Sequence, residues 1–239
     1  MEKTNVSVQE KLSPDGMHRR KFLGILGGTA SVVAVAAACN NDDNSTPYDG
    51  ATVGSDGTVD LGRGDVGILN YAYALEQLEA AFYTQVVLTP YSGITSDETA
   101  LLTDIRDHEI AHVQFLKTAL GTKGIPDGAL KVNFSAITFT SRDSVLGTAK
   151  AFEDLGVSAY NGAGKLIVSP DYLLIAGKIV SVEARHAAFI RDMVSYGSFA
   201  DTTAVDASGL DLIRTPTEVL DIAKDFLATK VSGANLPTT

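Results

Sequence analysis

Asp107-His108-Glu109-Ile110-Ala111-His112-Val113-Gln114-Phe115 decides the fold, because the chain repeats it nearly unchanged at Ser181-Val182-Glu183-Ala184-Arg185-His186-Ala187-Ala188-Phe189. The shared core is Glu-x-x-His-x-x-Phe. Residues three apart lie on one face of an α-helix, so each copy aims a carboxylate and an imidazole in the same direction. One such pair means little, since a lone Glu on a half-buried helix is most often solvated and a lone His most often hydrogen-bonded in a core. Two matched pairs can make a metal site.

The repeat extends upstream, to Ala74-Leu75-Glu76-Gln77-Leu78-Glu79-Ala80-Ala81-Phe82-Tyr83 before the first copy and Ala151-Phe152-Glu153-Asp154-Leu155-Gly156-Val157-Ser158-Ala159-Tyr160 before the second. Each reads Ala, apolar, Glu, x, Leu, with Tyr seven residues after the Glu. Glu76 precedes Glu109 by 33 residues and Glu153 precedes Glu183 by 30, the spacing of two antiparallel helices with a connection. Each half is thus a helical hairpin offering Glu and then Glu-x-x-His. Paired, the halves turn four carboxylates and two imidazoles inward, the ligand set of a di-iron or di-manganese site in a four-helix bundle.

This ordered quartet resembles the ferritin-like superfamily, in the branch with two Glu-x-x-His motifs seen in bacterioferritins, rubrerythrins and di-iron oxygenases. Through the segment Ala74 to Tyr83 it is most similar to the bacterial ferritin-like domain family that includes desiccation-related proteins. The resemblance covers about residues 64 to 197. It implies an all-α fold, a ferritin-like four-helix bundle over 65–230 with a long crossover between its second and third helices and a short C-terminal fifth helix. It also implies roles. Glu109 and Glu183 would bridge two ions, Glu76 and His112 would complete one, and Glu153 and His186 the other.

The formal charge is −10, and without residues 1–38, which hold five basic and three acidic residues, it is −12. Such a surface repels phosphate backbones, so no nucleic-acid partner is expected. Arg19-Arg20-Lys21-Phe22-Leu23, followed by a weakly apolar run to Ala38, resembles a twin-arginine export signal, and residues 1–38 are read as that signal. A membrane-spanning helix is the alternative, on a run that is short and interrupted by glycines. The single cysteine, Cys39, follows Ala36-Ala37-Ala38 and is read as a lipidation site, although Ala36 stands where a lipobox usually has Leu. Cleavage by an ordinary signal peptidase is the other reading. Either way the protein is expected in the periplasm or cell envelope, with residues 39–64 as a flexible tether rich in Asp, Asn, Gly, Thr and Ser.

The first helix is expected over Asp65–Leu88, with Leu69, Ala72, Tyr73, Glu76, Glu79, Ala80 and Tyr83 inward. The second starts around Ser96 and ends at Gly121. Residues 121–140 form the crossover, with a short strand over Val132–Thr140 and with Phe134, Ile137 and Phe139 covering an apolar flank. The third helix begins near Thr140–Asp143, carries Leu146, Ala149, Glu153, Gly156 or Val157, and Tyr160 inward, and frays at Gly162 and Gly164. The fourth runs from Pro170 to about Tyr196, with Tyr172 or Leu173, Ala176, Ile179, Glu183, His186 and Ile190 inward. Thr215-Pro216-Thr217-Glu218 opens the fifth, to about Ala228, and the tail beyond Ser232 is expected to be loose.

Four buried carboxylates need pairing, protonation or cations, and four carboxylates with two neutral imidazoles neutralise two divalent ions. The oxygen-rich mixture with imidazole suits iron, with manganese as the alternative. Glu79 competes with Glu76 for the first helix's ligand position, and the internal repeat favours Glu76. Glu79, Tyr83 and Tyr160 are candidates to touch the ligands, with core packing the preferred reading of the two tyrosines. His108 points about 100° from Glu109 and is placed at the surface or beside the ligands. No catalytic residue is singled out.

The functional expectation is a di-metal oxidoreductase that oxidises ferrous iron or reduces dioxygen or peroxide. The alternative is a non-enzymatic stress- or desiccation-related bundle, with or without metal. The expected partners are a small-molecule oxidant or ferrous iron, and a membrane only through the lipid anchor. A dimer is left open, and a closed storage shell fits poorly with a tethered N-terminus. No rubredoxin-like Cys-x-x-Cys occurs in the sequence, so an electron donor is expected to be a separate molecule.

Overall fold

The computed structural model describes residues 49–238. The export signal at 1–38, Cys39 and tether residues 40–48 lie outside the described residues. Four long helices, α1 (Gly64–Leu88), α2 (Ser96–Leu120), α3 (Arg142–Gly164) and α4 (Pro170–Val194), are followed by a short α5 (Pro216–Ala223). The helices pack chiefly as two consecutive pairs, α1 on α2 and α3 on α4, with α1 also against α3. This is the all-α four-helix bundle with a short fifth helix that the sequence leads one to expect.

The helix ends follow from the local sequence. Thr95 and Glu98 form a capping box at the start of α2, with Glu98 N–H donating to Thr95 Oγ1 (3.1 Å) and Thr95 N–H donating to Glu98 Oε2 (3.0 Å). Thr215 and Glu218 do the same for α5. Ser141 and Ser169 cap α3 and α4, and Pro170 takes the first helical position, where its missing N–H costs nothing. The N-terminus of α1 has no side-chain cap. Its Asp65 instead accepts from Val168 N–H (2.8 Å) and Ser169 N–H (2.7 Å), which fastens the first turn of α1 to the α3–α4 connection.

Every residue of α1 from Gly67 to Glu76 is buried, so this helix has no solvent face over that stretch. One side meets the bundle and the other is covered by the crossover and the C-terminal segment. Buried Asn70 holds the start of the crossover: its amide donates to the Lys123 carbonyl (2.9 Å), and its carbonyl accepts from Ile125 N–H (3.0 Å). Phe134 and Phe139 each lie 6.0 Å from Phe82, Phe152 lies 5.1 Å from it, and Phe226 stands edge-on to Phe152 at 4.8 Å. The crossover therefore does cover an apolar flank, with Ile137 buried beside these rings.

Four expectations are corrected. Residues 49–63 are not loose: β1 (Thr52–Val53) pairs antiparallel with β2 (Val59–Asp60), and β2 pairs parallel with β3 (Val231–Ser232). The polar composition there hid Val59 and Leu61, two fully buried anchors. For the same reason the tail is not loose beyond Ser232, since Leu236 is buried and Asn235 donates to Asp60 (2.9 Å). The stretch 132–140 forms no strand, only an isolated bridge from Val132 to Leu227. That bridge and the Asn133 N–H to Phe226 carbonyl bond (2.8 Å) draw the chain out of helix after Ala223, so α5 ends through a 3₁₀ turn at Lys224–Phe226. On α4 the open choice between Tyr172 and Leu173 resolves to Tyr172, which packs against the core while Leu173 is exposed.

Replacing Asn70 with Leu leaves the Ile125 N–H unpaired in a buried place and releases the crossover. The expected loss is about 2 kcal/mol in urea denaturation, and an unchanged midpoint would show that the crossover is held elsewhere.

Candidate metal centre

Each long helix brings one glutamate to the same level of the bundle. Glu76 (α1), Glu109 (α2), Glu153 (α3) and Glu183 (α4) are all fully buried; His186 is buried, and the His112 side chain is 13% exposed. His112 Nδ1 lies 3.2 Å from Glu76, 3.5 Å from Glu109 and 3.1 Å from Glu183. His186 Nδ1 lies 2.9 Å from Glu109 and 3.5 Å from Glu153. Two groups of four result, Glu76–Glu109–His112–Glu183 and Glu109–Glu153–Glu183–His186, and within each the ligand atoms fall within 4.8 Å of one another. The groups share Glu109 and Glu183.

Both oxygens of Glu109, both of Glu183, Glu153 Oε2 and His186 Nδ1 are buried without a hydrogen-bond partner. Such groups are expensive to leave unpaired. His186 Nδ1 approaches Glu109 closely without the geometry of a hydrogen bond. That spacing is natural for neighbours on one cation, because adjacent ligands each about 2.1 Å from an ion stand about 3 Å apart. A family model for the ferritin-like domain matches residues 64–196. The chain belongs to that family. No curated protein matches it. The centre of this ferritin-like bundle is compatible with two metal ions.

The two tyrosines do more than pack, contrary to the preferred reading. Tyr83, from the first hairpin, donates to Glu153 Oε1 of the second, and Tyr160, from the second, donates to Glu76 Oε1 of the first, both at 2.5 Å. Burial and the adjacent carboxylates push both phenols well above their usual range, which keeps them as donors. Each tyrosine thereby occupies one oxygen of a glutamate and leaves the other facing the centre.

His108 lies beside the ligands and not simply at the surface: its Nδ1 is 2.9 Å from His186 Nε2, with the rings stacked at 5.2 Å. If His186 Nε2 carries the proton and donates to His108, Nδ1 is left with its lone pair toward the carboxylates. The sequence held a signal for this, since His108 stands four residues before His112 and so shares its side of α2.

Glu79 is buried but outside both groups of four. It occupies space left by Gly156, where a Cβ would sit 3.1 Å from Glu79 Oε1 and 3.3 Å from Glu183 Oε2. Burial, then the charges of Glu183 and Glu109, push its carboxyl well up, toward the neutral form. The structure thus brings Glu76, not Glu79, to the imidazoles.

Burial also pushes Glu153 and Glu183 up, and Glu76 to about 7 from an ordinary 4.5. Burial raises Glu109 too, but the close approach of the His112 and His186 imidazoles outweighs it and holds Glu109 far below the carboxylate range. Burial lowers the imidazoles, yet Glu109 and the other carboxylates win, taking His186 to about 11 and His112 higher still.

Groups whose pKa is raised on folding stabilise most below their unfolded value, and that stability is lost as pH climbs through the folded value. For Glu76 the window is 4.5 to about 7, and for His186 6.5 to about 11. Glu109 works in the opposite sense only below 4.5. The chelator-treated protein is therefore expected to melt at progressively lower temperature from about pH 5 to about pH 8. Calorimetry on that protein checks this, and a melting temperature that rises over the interval contradicts it.

Proposed function

We propose that this ferritin-like protein holds two iron ions, or two manganese ions in the alternative, and oxidises ferrous iron or reduces dioxygen or peroxide. The observation that carries the reading is the sharing of Glu109 and Glu183 between two four-residue groups whose buried polar atoms lack partners. Glu76 and His112 would hold one ion, Glu153 and His186 the other, and Glu109 and Glu183 would join them. Four carboxylates, two neutral imidazoles and a protonated Glu79 balance two divalent cations. When bound, the pair would supply two electrons at one place, enough with two protons to reduce dioxygen to hydrogen peroxide or hydrogen peroxide to two waters.

The chain's own part is to orient and to exclude water. Tyr83 and Tyr160 fix the planes of Glu153 and Glu76, His108 orients His186, and the buried setting strengthens the electrostatic interactions within it. Export rests on Arg19-Arg20-Lys21-Phe22-Leu23 and anchoring on Cys39. Among the described residues no helix is long and apolar enough to cross a membrane.

Metal analysis of freshly prepared protein, followed by dioxygen uptake on adding ferrous iron, tests the reading. Two ions per chain are expected, falling to well under one when His112 and His186 are both replaced by Ala, with uptake lost in parallel. Metal bound without consumption of dioxygen or peroxide would favour a non-enzymatic stress-related bundle, and a metal-free wild type would remove the centre altogether.

A further inference from the structure

Along the bundle axis, toward the N-terminus of α1, the four helices do not close on one another. Ala72 stands four residues before Glu76, Leu116 four after His112, Ile179 four before Glu183 and Ala159 six after Glu153, so the antiparallel order brings all four to one level. With Tyr160 and Ala176 they help line a cavity with about 20 Å³ of room for the centre of a water-sized guest. Its exposed wall is entirely apolar. Ile167 and Ile175, at the outer end near the α3–α4 connection, are only half-buried. Tyr160 stands between this space and the metal centre, lining the one and donating to Glu76 at the other.

A void of this size admits one or two small molecules, but water needs two to four polar partners and apolar cavities stay dry. Hydrogen peroxide, with two hydroxyls to satisfy, meets the same objection. A non-polar diatomic does not. We propose that the cavity is a binding site for dioxygen on its way to the centre, which makes dioxygen rather than peroxide the oxidant. This rests on the redox reading given above and narrows it. Small residues at the cavity's level serve this use, since Ala72, Ala159 and Ala176 stand where larger side chains would fill the space.

Xenon, an apolar atom of comparable size, probes the cavity without reference to metal or turnover. Crystals of the full folded domain under xenon pressure are expected to show one atom among Ala72, Ala159 and Ala176. Ala72→Val and Ala176→Leu, made separately in case one fails to fold, should abolish that site and leave metal content unchanged. Each should also raise the dioxygen concentration needed for half-maximal uptake several-fold, while any rate with hydrogen peroxide stays the same. Absence of xenon in the wild type, or wild-type dioxygen kinetics in a folded variant that has lost xenon, overturns the proposal. A wild type that binds xenon and two ions yet consumes no dioxygen defeats the redox reading and the oxidant assigned with it, whereas the xenon site would still stand as a pocket for small apolar guests.

Discussion

Five glutamates and two histidines crowded into the interior of one four-helix bundle are the constraint that the rest of the structure answers. Burying a carboxylate without compensation is costly, and burying several side by side adds repulsion to desolvation. The chain meets this in three ways. Tyr83 and Tyr160 each neutralise part of a carboxylate by donation across the hairpin boundary, the imidazoles sit against Glu109 and Glu183, and Glu79 is driven toward its uncharged form. What remains without a partner is concentrated on Glu109, Glu183, Glu153 Oε2 and His186 Nδ1, where a cation would lie.

The exchange of tyrosines explains why the two hairpins depend on each other. Each hairpin brings its own Glu and Glu-x-x-His, but the donor that holds its first glutamate comes from the other. A hairpin folded alone would leave Glu76 or Glu153 with neither tyrosine nor the shared carboxylate of the other half. The ligands therefore favour docking of the halves only once both are helical, which ties the site's geometry to the packing of α1 on α3.

The convergence of four glutamates and two histidines and the helix order were legible because they rest on local rules: three-residue spacing, capping residues at Ser169 and Thr215, and an internal repeat that doubles the signal. The long-range pairings were not. Residues 49–63 carry only two buried apolar side chains, Val59 and Leu61, among polar neighbours, and their partner strand lies some 170 residues later in the chain. The alternation over 132–140 is a true pattern of inward and outward residues, but with only an isolated bridge at Val132 it packs as an irregular cover. His108 was half-legible, since its side of α2 follows from His112 while its partner on α4 is a fact of packing. The role of Gly156 was invisible, because a missing side chain gives no sequence pattern and its meaning lies in Glu79 and Glu183 standing opposite.

The repeat makes the two halves alike in ligands, yet their surroundings differ. Tyr83 stands edge-on to Phe82 at 5.1 Å, and Phe82 is itself packed against Phe134, Phe139 and Phe152. Tyr160 instead borders a cavity walled by alanines and aliphatic residues. A dense aromatic wall resists displacement, while a side chain beside a void has room to move, because it lacks neighbours on one side. Of the two hydroxyls that orient the outer glutamates, the one on Glu153 is therefore rigidly backed and the one on Glu76 is not. His112, on the Glu76 side, is also the imidazole with the larger exposure, 13% against 5% for His186. Both differences fall in the same half, so the near-twofold set of glutamates and histidines is more loosely walled at its Glu76–His112 end than at its Glu153–His186 end.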